Sequence, residues 1–221
     1  MFRTNFRLDA QADAMALLAE VRSCTLCAAH LPLGPRPVLQ FHPEARVLIA
    51  SQAPGRKVHA SGIPFDDASG DRLREWMGIS RDIFYDETRV AILPMGFCYP
   101  GKATSGDAPP RKECAPQWRE NLMRKFNNLQ LILAIGAYAQ AWHLPQAKGA
   151  LTERVRHWED YGMIMPLPHP SPLNNVWLAK HPWFARDVLP PLRQRVAMAL
   201  GTDTLSSAPK LADKKTDQKV K

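Results

Sequence analysis

Two groups of residues in this 221-residue chain have types and spacing that could do chemistry. The first centres on the stretch "LPLPHPSPLNN", in which Pro168, Pro170 and Pro172 alternate with His169 and Ser171. Proline fixes its own φ near about −65° and pushes the preceding residue toward extended conformations, so the imidazole of His169 has few backbone options. A histidine held that stiffly can aim one ring N–H at charge developing in a reaction; the plainer alternative is a Pro-rich surface turn. The second group is four cysteines: Cys24 and Cys27 form a C-x2-C pair, and after a gap of 70 residues Cys98 and Cys114 form C-x15-C. Without a secretory leader, a close pair followed by two later cysteines points to a metal centre rather than a disulfide framework. Four thiolates suit tetrahedral zinc or an iron–sulfur cluster equally, and spacing does not choose between them.

The elements that must position these residues alternate along the chain. "ARVLIASQ", "TRVAILPM", "LQLILAIG" and "GMIMPLP" are short apolar runs bounded by breakers, as expected of strands buried on both faces. Between them "SGDRLREWMGI", "APQWRENLMRKF", "GAYAQAWHL" and "GALTERVRHWEDY" read as helices. An earlier helix is expected over "DAQADAMALLAEVRSC", with Asp9 or Asp13 near its start, and a last one over "HPWFARDVLPPLRQRVAMAL", interrupted or restarted at Pro190 and Pro191. Strand and helix in turn imply an α/β three-layer sandwich around a mainly parallel four-stranded sheet, whose ligands gather beyond the carboxyl ends of the strands. One domain over residues 1–201 is expected, followed by a polar, Lys-rich, disordered tail over 202–221.

Composition narrows the function classes. A hydrophobic content of 45% over this length supports one ordinary core. No apolar run approaches the roughly 20 residues that span a bilayer, and the N-terminal stretch breaks its apolar residues with charges, so a cytoplasmic protein without a membrane partner is expected. The formal net charge of +8 favours an anionic partner such as nucleic acid. The tail segment "PKLADKKTDQKVK" carries five lysines against two aspartates, so about +5 of that charge lies elsewhere.

A second loop completes the pattern. "SQAPGRKVHASGIPFDDASGDRL" follows the first strand, with Pro54 and Gly55 forming a tight turn where a parallel sheet presents its ligands, and Gly62 and Pro64 shaping a bend before Phe65. An aromatic near a rigid histidine suggests a slot for a flat ring. This A-P-G, a glycine seven residues on, P-F and S-G, followed at long range by H-P-S-P, resembles the uracil-DNA glycosylase superfamily. The order of the four cysteines is similar to the family-four class that carries a [4Fe-4S] cluster. The resemblance runs from about Cys24 to His169 and more weakly through the last helix. It implies a monomeric enzyme of DNA repair that flips a modified base out of DNA and hydrolyses its bond to the sugar. His169 would supply the donor to the departing base and Phe65 the stacking surface, with Ala53, Pro54 and Gly55 lining the base pocket. Ser171, Leu173 and Asn174 would form the loop that grips phosphate and fills the hole left by the base. Cys24, Cys27, Cys98 and Cys114 would hold the cluster, with structural zinc as the alternative.

The chain also departs from that pattern. Where better-known classes carry Asp, Asn or Glu to position or activate water, this loop reads Ser51, Gln52, Ala53, Pro54, Gly55. Gln52 can hold a water by its amide but cannot take its proton. The asparagine that reads a pyrimidine edge in uracil-specific enzymes is replaced by Pro94, which lacks both amide side chain and backbone N–H. Asp66 or Asp67 could replace the missing acid, although adjacent aspartates at a loop end also serve as helix caps. Lys57 and His59 in "RKVHAS" are candidates for phosphate contacts, or else part of a solvated basic loop. Two functions follow: a glycosylase acting on some modified base, or a member of the superfamily that binds a base or nucleic acid without efficient cleavage.

Overall fold

The computed structural model describes residues 2–202, with side chains described from residue 11 onward. The stretch read as a Lys-rich tail therefore lies outside the described residues, apart from Thr202. Four strands, β1 (Val47–Ala50), β2 (Val90–Ile92), β3 (Leu131–Ile135) and β4 (Ile164–Leu167), form one sheet in the order β2-β1-β3-β4. Every pairing is parallel, with Val47 beside Val90, Ile49 beside Leu133 and Ala134 beside Pro166. Pro166 cannot donate to a ladder, and it is accommodated because β4 is an edge strand.

The strand runs are continuously apolar because successive side chains enter two different cores. Val47, Ile49, Val90, Ile92, Leu131, Leu133, Met165 and Leu167 pack on one face against Leu73, Trp76 and Met77 of α3 (Ala68–Met77) and Leu192 and Val196 of α9 (Leu189–Leu200). Leu48, Ala91 and Ile132 pack on the other against Leu18 and Val21 of α1 (Phe2–Arg22) and Leu122 of α5 (Cys114–Met123). The result is the expected three-layer sandwich. The remaining helices are α2 (Arg56–Ser61), α4 (Arg81–Tyr85), α6 (Gly136–His143), α7 (Leu151–Arg156) and α8 (Asn175–Lys180).

Several boundaries differ from the sequence reading. Helix α1 begins well before Asp9 and Asp13, which lie inside it and do not cap it. "RKVHAS", read as a loop, is the short helix α2, closed by Gly62 at φ 77°. The last helical stretch does restart at its prolines: a π-helical turn over Phe184–Val188 leads into α9, with proline in its first turn. Among the described residues no helix is long and apolar enough to cross a membrane.

Candidate active site

The segments after β1, β2 and β4 meet over one end of the sheet. The segment after β1 is tied to that after β2 by backbone bonds in which Met95 N–H donates to Ser51 O at 2.7 Å and Gly96 N–H to Gln52 O at 3.0 Å. Between these loops and the His169 loop lies a cavity of about 350 Å³. It collects most of the residues singled out in the sequence: Gln52, Ala53, Pro54, Gly55, Phe65, Pro94, His169, Ser171, Leu173 and Asn174 all line it.

The His169 loop is pinned from several sides. Ser171 N–H donates to Nδ1 of His169 at 3.2 Å, and Asn174 Nδ2 donates to the His169 carbonyl at 2.7 Å. Arg72 of α3 donates to the carbonyls of Pro170 and Ser171 at 3.3 and 3.2 Å. An imidazole that accepts at Nδ1 carries its proton on Nε2, so His169 keeps one N–H donor for the cavity. Burial lowers its pKa, against a smaller opposing pull from Asp67, and the ring stays neutral at physiological pH. Leu173 stands 80% exposed at the rim, which leaves it free to enter another molecule.

Phe65 is buried and takes φ 54°, a left-handed conformation that is costly for an aromatic residue. One ring contact and the bonds of its chain neighbours hold it. Its ring meets Phe84 edge-on with centroids 6.2 Å apart, and Tyr85 OH donates to the neighbouring Pro64 carbonyl at 3.0 Å. Asp67 caps α3, its Oδ1 accepting from Ser69 and Gly70 N–H at 2.9 and 3.0 Å. Gly70 is required there, because a Cβ on it would lie 1.8 Å from the Phe65 carbonyl oxygen. Of the two adjacent aspartates, Asp67 is thus a helix cap, and Asp66 pairs with Arg81 at 3.0 Å.

The basic residues of α2 sit apart from the cavity. Lys57 is exposed on the helix. The helical turn buries His59 against Tyr99, with ring centroids 6.2 Å apart, and burial together with Arg36 lowers its pKa.

Some cavity residues escaped the sequence reading. The segment 101–108 folds back as a small hairpin, with Lys102 bridged to Asp107, and places Ser105, Gly106 and Asp107 in the lining. Gln52 Nε2 donates to the Ala108 carbonyl at 3.2 Å and ties the hairpin to the first loop. Burial holds the Asp107 carboxyl above the usual carboxylate range, Asp67 adds to this, and Lys102 opposes it. No local spacing announces such a placement.

The four cysteines line a separate, smaller cavity with Leu31, Pro37, Phe97, Trp118 and Arg111 among others, and all four are free thiols. Phe97 N–H donates to Cys114 Sγ at 3.3 Å. Burial pushes the thiols of Cys27 and Cys98 up and that of Cys114 up to about 12. Among the described residues no three His, Cys, Asp or Glu side chains form a group that could hold a metal ion.

Residues 39–193 of the chain match the family model described as the Uracil DNA glycosylase superfamily, a span that contains both cavity loops.

Proposed function

Because the chain belongs to the uracil DNA glycosylase superfamily, we propose that it is an active glycosylase that takes a modified base out of DNA and hydrolyses its N-glycosidic bond. The observation that carries this reading is His169: its Nδ1 is occupied by Ser171 N–H, its ring is half-buried and neutral, and its remaining N–H serves the cavity that Phe65 lines. A base cannot be reached inside the duplex, so it must be extruded into such a pocket. Phe65 offers a ring face for it, and exposed Leu173 can occupy the space it leaves in the stack. As the bond breaks the base gains negative charge, and a donor already in place stabilises that charge with little reorganisation. Gln52 uses its amide N–H on Ala108, which leaves its side-chain oxygen to hold water.

For the cysteine cavity we propose a [4Fe-4S] cluster, as the order of the four cysteines implies, with structural zinc as the alternative. Four thiols line one small cavity together with apolar residues and Arg111, and the Phe97 N–H donates to Cys114 Sγ. Such a cluster, held by Cys24, Cys27, Cys98 and Cys114, would cross-link the segment before β1 to the segment after β2 and so brace one wall of the site.

Pro94 favours a second reading for uracil itself. It places neither amide side chain nor N–H at the cavity, so a member that holds a base without cleaving it remains the competing function. Duplexes carrying uracil, hypoxanthine, xanthine or oxidised bases, scored for abasic sites, separate the two. We expect at least one base to be released, and His169→Ala to slow that release on the order of 100-fold with DNA affinity nearly unchanged. Specific binding without abasic sites on any base would establish the non-cleaving reading.

A further inference from the structure

Hydrolysis needs a group that takes a proton from the attacking water. The loop after β1 contains none, since Gln52, Ala53, Pro54 and Gly55 have no basic side chain. A carboxylate reaches the same place from a distant part of the chain. We propose that Asp107 is the general base of this cavity, delivered over Gly55 by the hairpin 101–108. The inference rests on the glycosylase reading above and adds the residue that activates water.

The geometry is specific. A Cβ built on Gly55 would lie 3.4 Å from Asp107 Oδ2, so the carboxylate rests at ordinary contact distance over the glycine of the first loop. The hairpin that carries it is built for that position. Ala108 N–H donates to Gly101 O at 2.8 Å and Ala103 N–H to Gly106 O at 3.1 Å, while Gly101 and Gly106 supply the positive φ values of 97° and 78° that the reversal needs. Gln52 then fastens the residue next to Asp107 directly to the loop after β1. A change of hairpin position would therefore move with the first loop and not against it.

The other acids of the cavity region are committed elsewhere. Asp67 is held by two backbone N–H groups at the start of α3, and Asp66 by Arg81. Among the described residues none donates a hydrogen bond to the Asp107 carboxylate. It is the acid left free to accept a proton, and its raised pKa brings it nearer the range useful to a base at neutral pH.

The step balances as follows. Water oxygen forms the new bond to the sugar C1′ while one of its protons passes to an Asp107 oxygen. The C1′–N bond breaks and its electron pair leaves on the base, which departs as an anion hydrogen-bonded by Nε2–H of His169. Asp107 returns its proton to solvent, and the base is protonated from solvent after release. His169 and Asp107 thus serve the two ends of the breaking bond.

Two measurements on the full chain test this. In single-turnover release of whichever base the oligonucleotide panel identifies, Asp107→Asn should slow the reaction by about 100-fold or more. In binding, duplexes carrying a cationic pyrrolidine abasic analogue are compared with duplexes carrying the neutral tetrahydrofuran analogue. The wild type should prefer the cation, since a carboxylate lies beside the sugar, and Asp107→Asn should lose about tenfold of that preference with tetrahydrofuran affinity unchanged, which also reports an intact fold. A variant that keeps both rate and preference within a few-fold of the wild type overturns the role of Asp107 and leaves the glycosylase reading standing. If the wild type releases no base, the glycosylase reading falls, and the analogue pair alone judges Asp107: loss of cation preference in the variant places the carboxylate at the sugar, and no such loss refutes it.

Discussion

Acid should loosen this protein through one histidine that lies behind the cavity. Arg119 of α5 is completely buried, donating from Nη1 to the carbonyls of Leu93 and Pro94 and from Nη2 to His143 Nε2 at 2.7 Å. A guanidinium has no lone pair to offer, so the imidazole must be the acceptor and carries its proton on Nδ1. Protonating that ring would place two cations in contact inside the protein. Burial first, and the Arg119 charge second, push the His143 pKa from the ordinary 6.5 to about 3. The unfolded chain therefore binds a proton below about pH 6.5 that the folded chain refuses until about pH 3. Stability is fully present above the unfolded pKa and is lost as pH falls through this window, at about 1.4 kcal/mol per pH unit for one proton. Between pH 7 and pH 5 His143 alone should remove about 2 kcal/mol, a large share of the roughly 5–15 kcal/mol typical of a domain. His143→Gln is the matching perturbation, because the Gln side-chain oxygen can accept from Arg119 but does not titrate. Urea unfolding of both proteins at pH 7 and pH 5 should show the variant losing about 2 kcal/mol less than the wild type. Parallel losses would refute the reasoning, and with it the idea that a neutral His143 supports the Arg119 bonds to Leu93 and Pro94 at the cavity wall.

Two further predictions address the cavity and the cysteines. Gly70→Ala places a methyl 1.8 Å from the Phe65 carbonyl oxygen; overpacking of this kind should lower stability by about 1–3 kcal/mol and abolish capture of an extruded fluorescent base, and an unchanged unfolding midpoint would contradict it. Protein purified without oxygen should carry about four iron and four sulfide per chain, and Cys98→Ser should lose most of both; zinc without iron would replace the cluster by a structural zinc.

Much of the scaffold was legible because the signals are local. The four strands read as unbroken apolar runs for a physical reason, namely that a parallel sheet covered on both faces leaves no polar side to alternate with. The stiff loop around His169 could be read from its prolines, whose ring geometry acts within one residue. The P-F stretch likewise pointed to Phe65, though not to the contact that makes Gly70 necessary beside it. The cysteine spacing suggested convergence, and the four thiols do line one cavity.

What the sequence determined by itself was the layer architecture, the His169 loop and the first loop with its missing acid, since each follows from periodicity or from residues adjacent in the chain. Tertiary structure alone decided that α2 turns His59 inward, that the Arg119 charge sits buried behind Pro94 with His143 as its acceptor, and that Asp107 lies over Gly55. The reason is the same in each case. Dihedral preferences and apolar patterning act over a few residues, whereas the place where a Gly- and Ser-containing hairpin comes to rest depends on which distant carbonyl an amide such as Gln52 can reach once the sheet has closed.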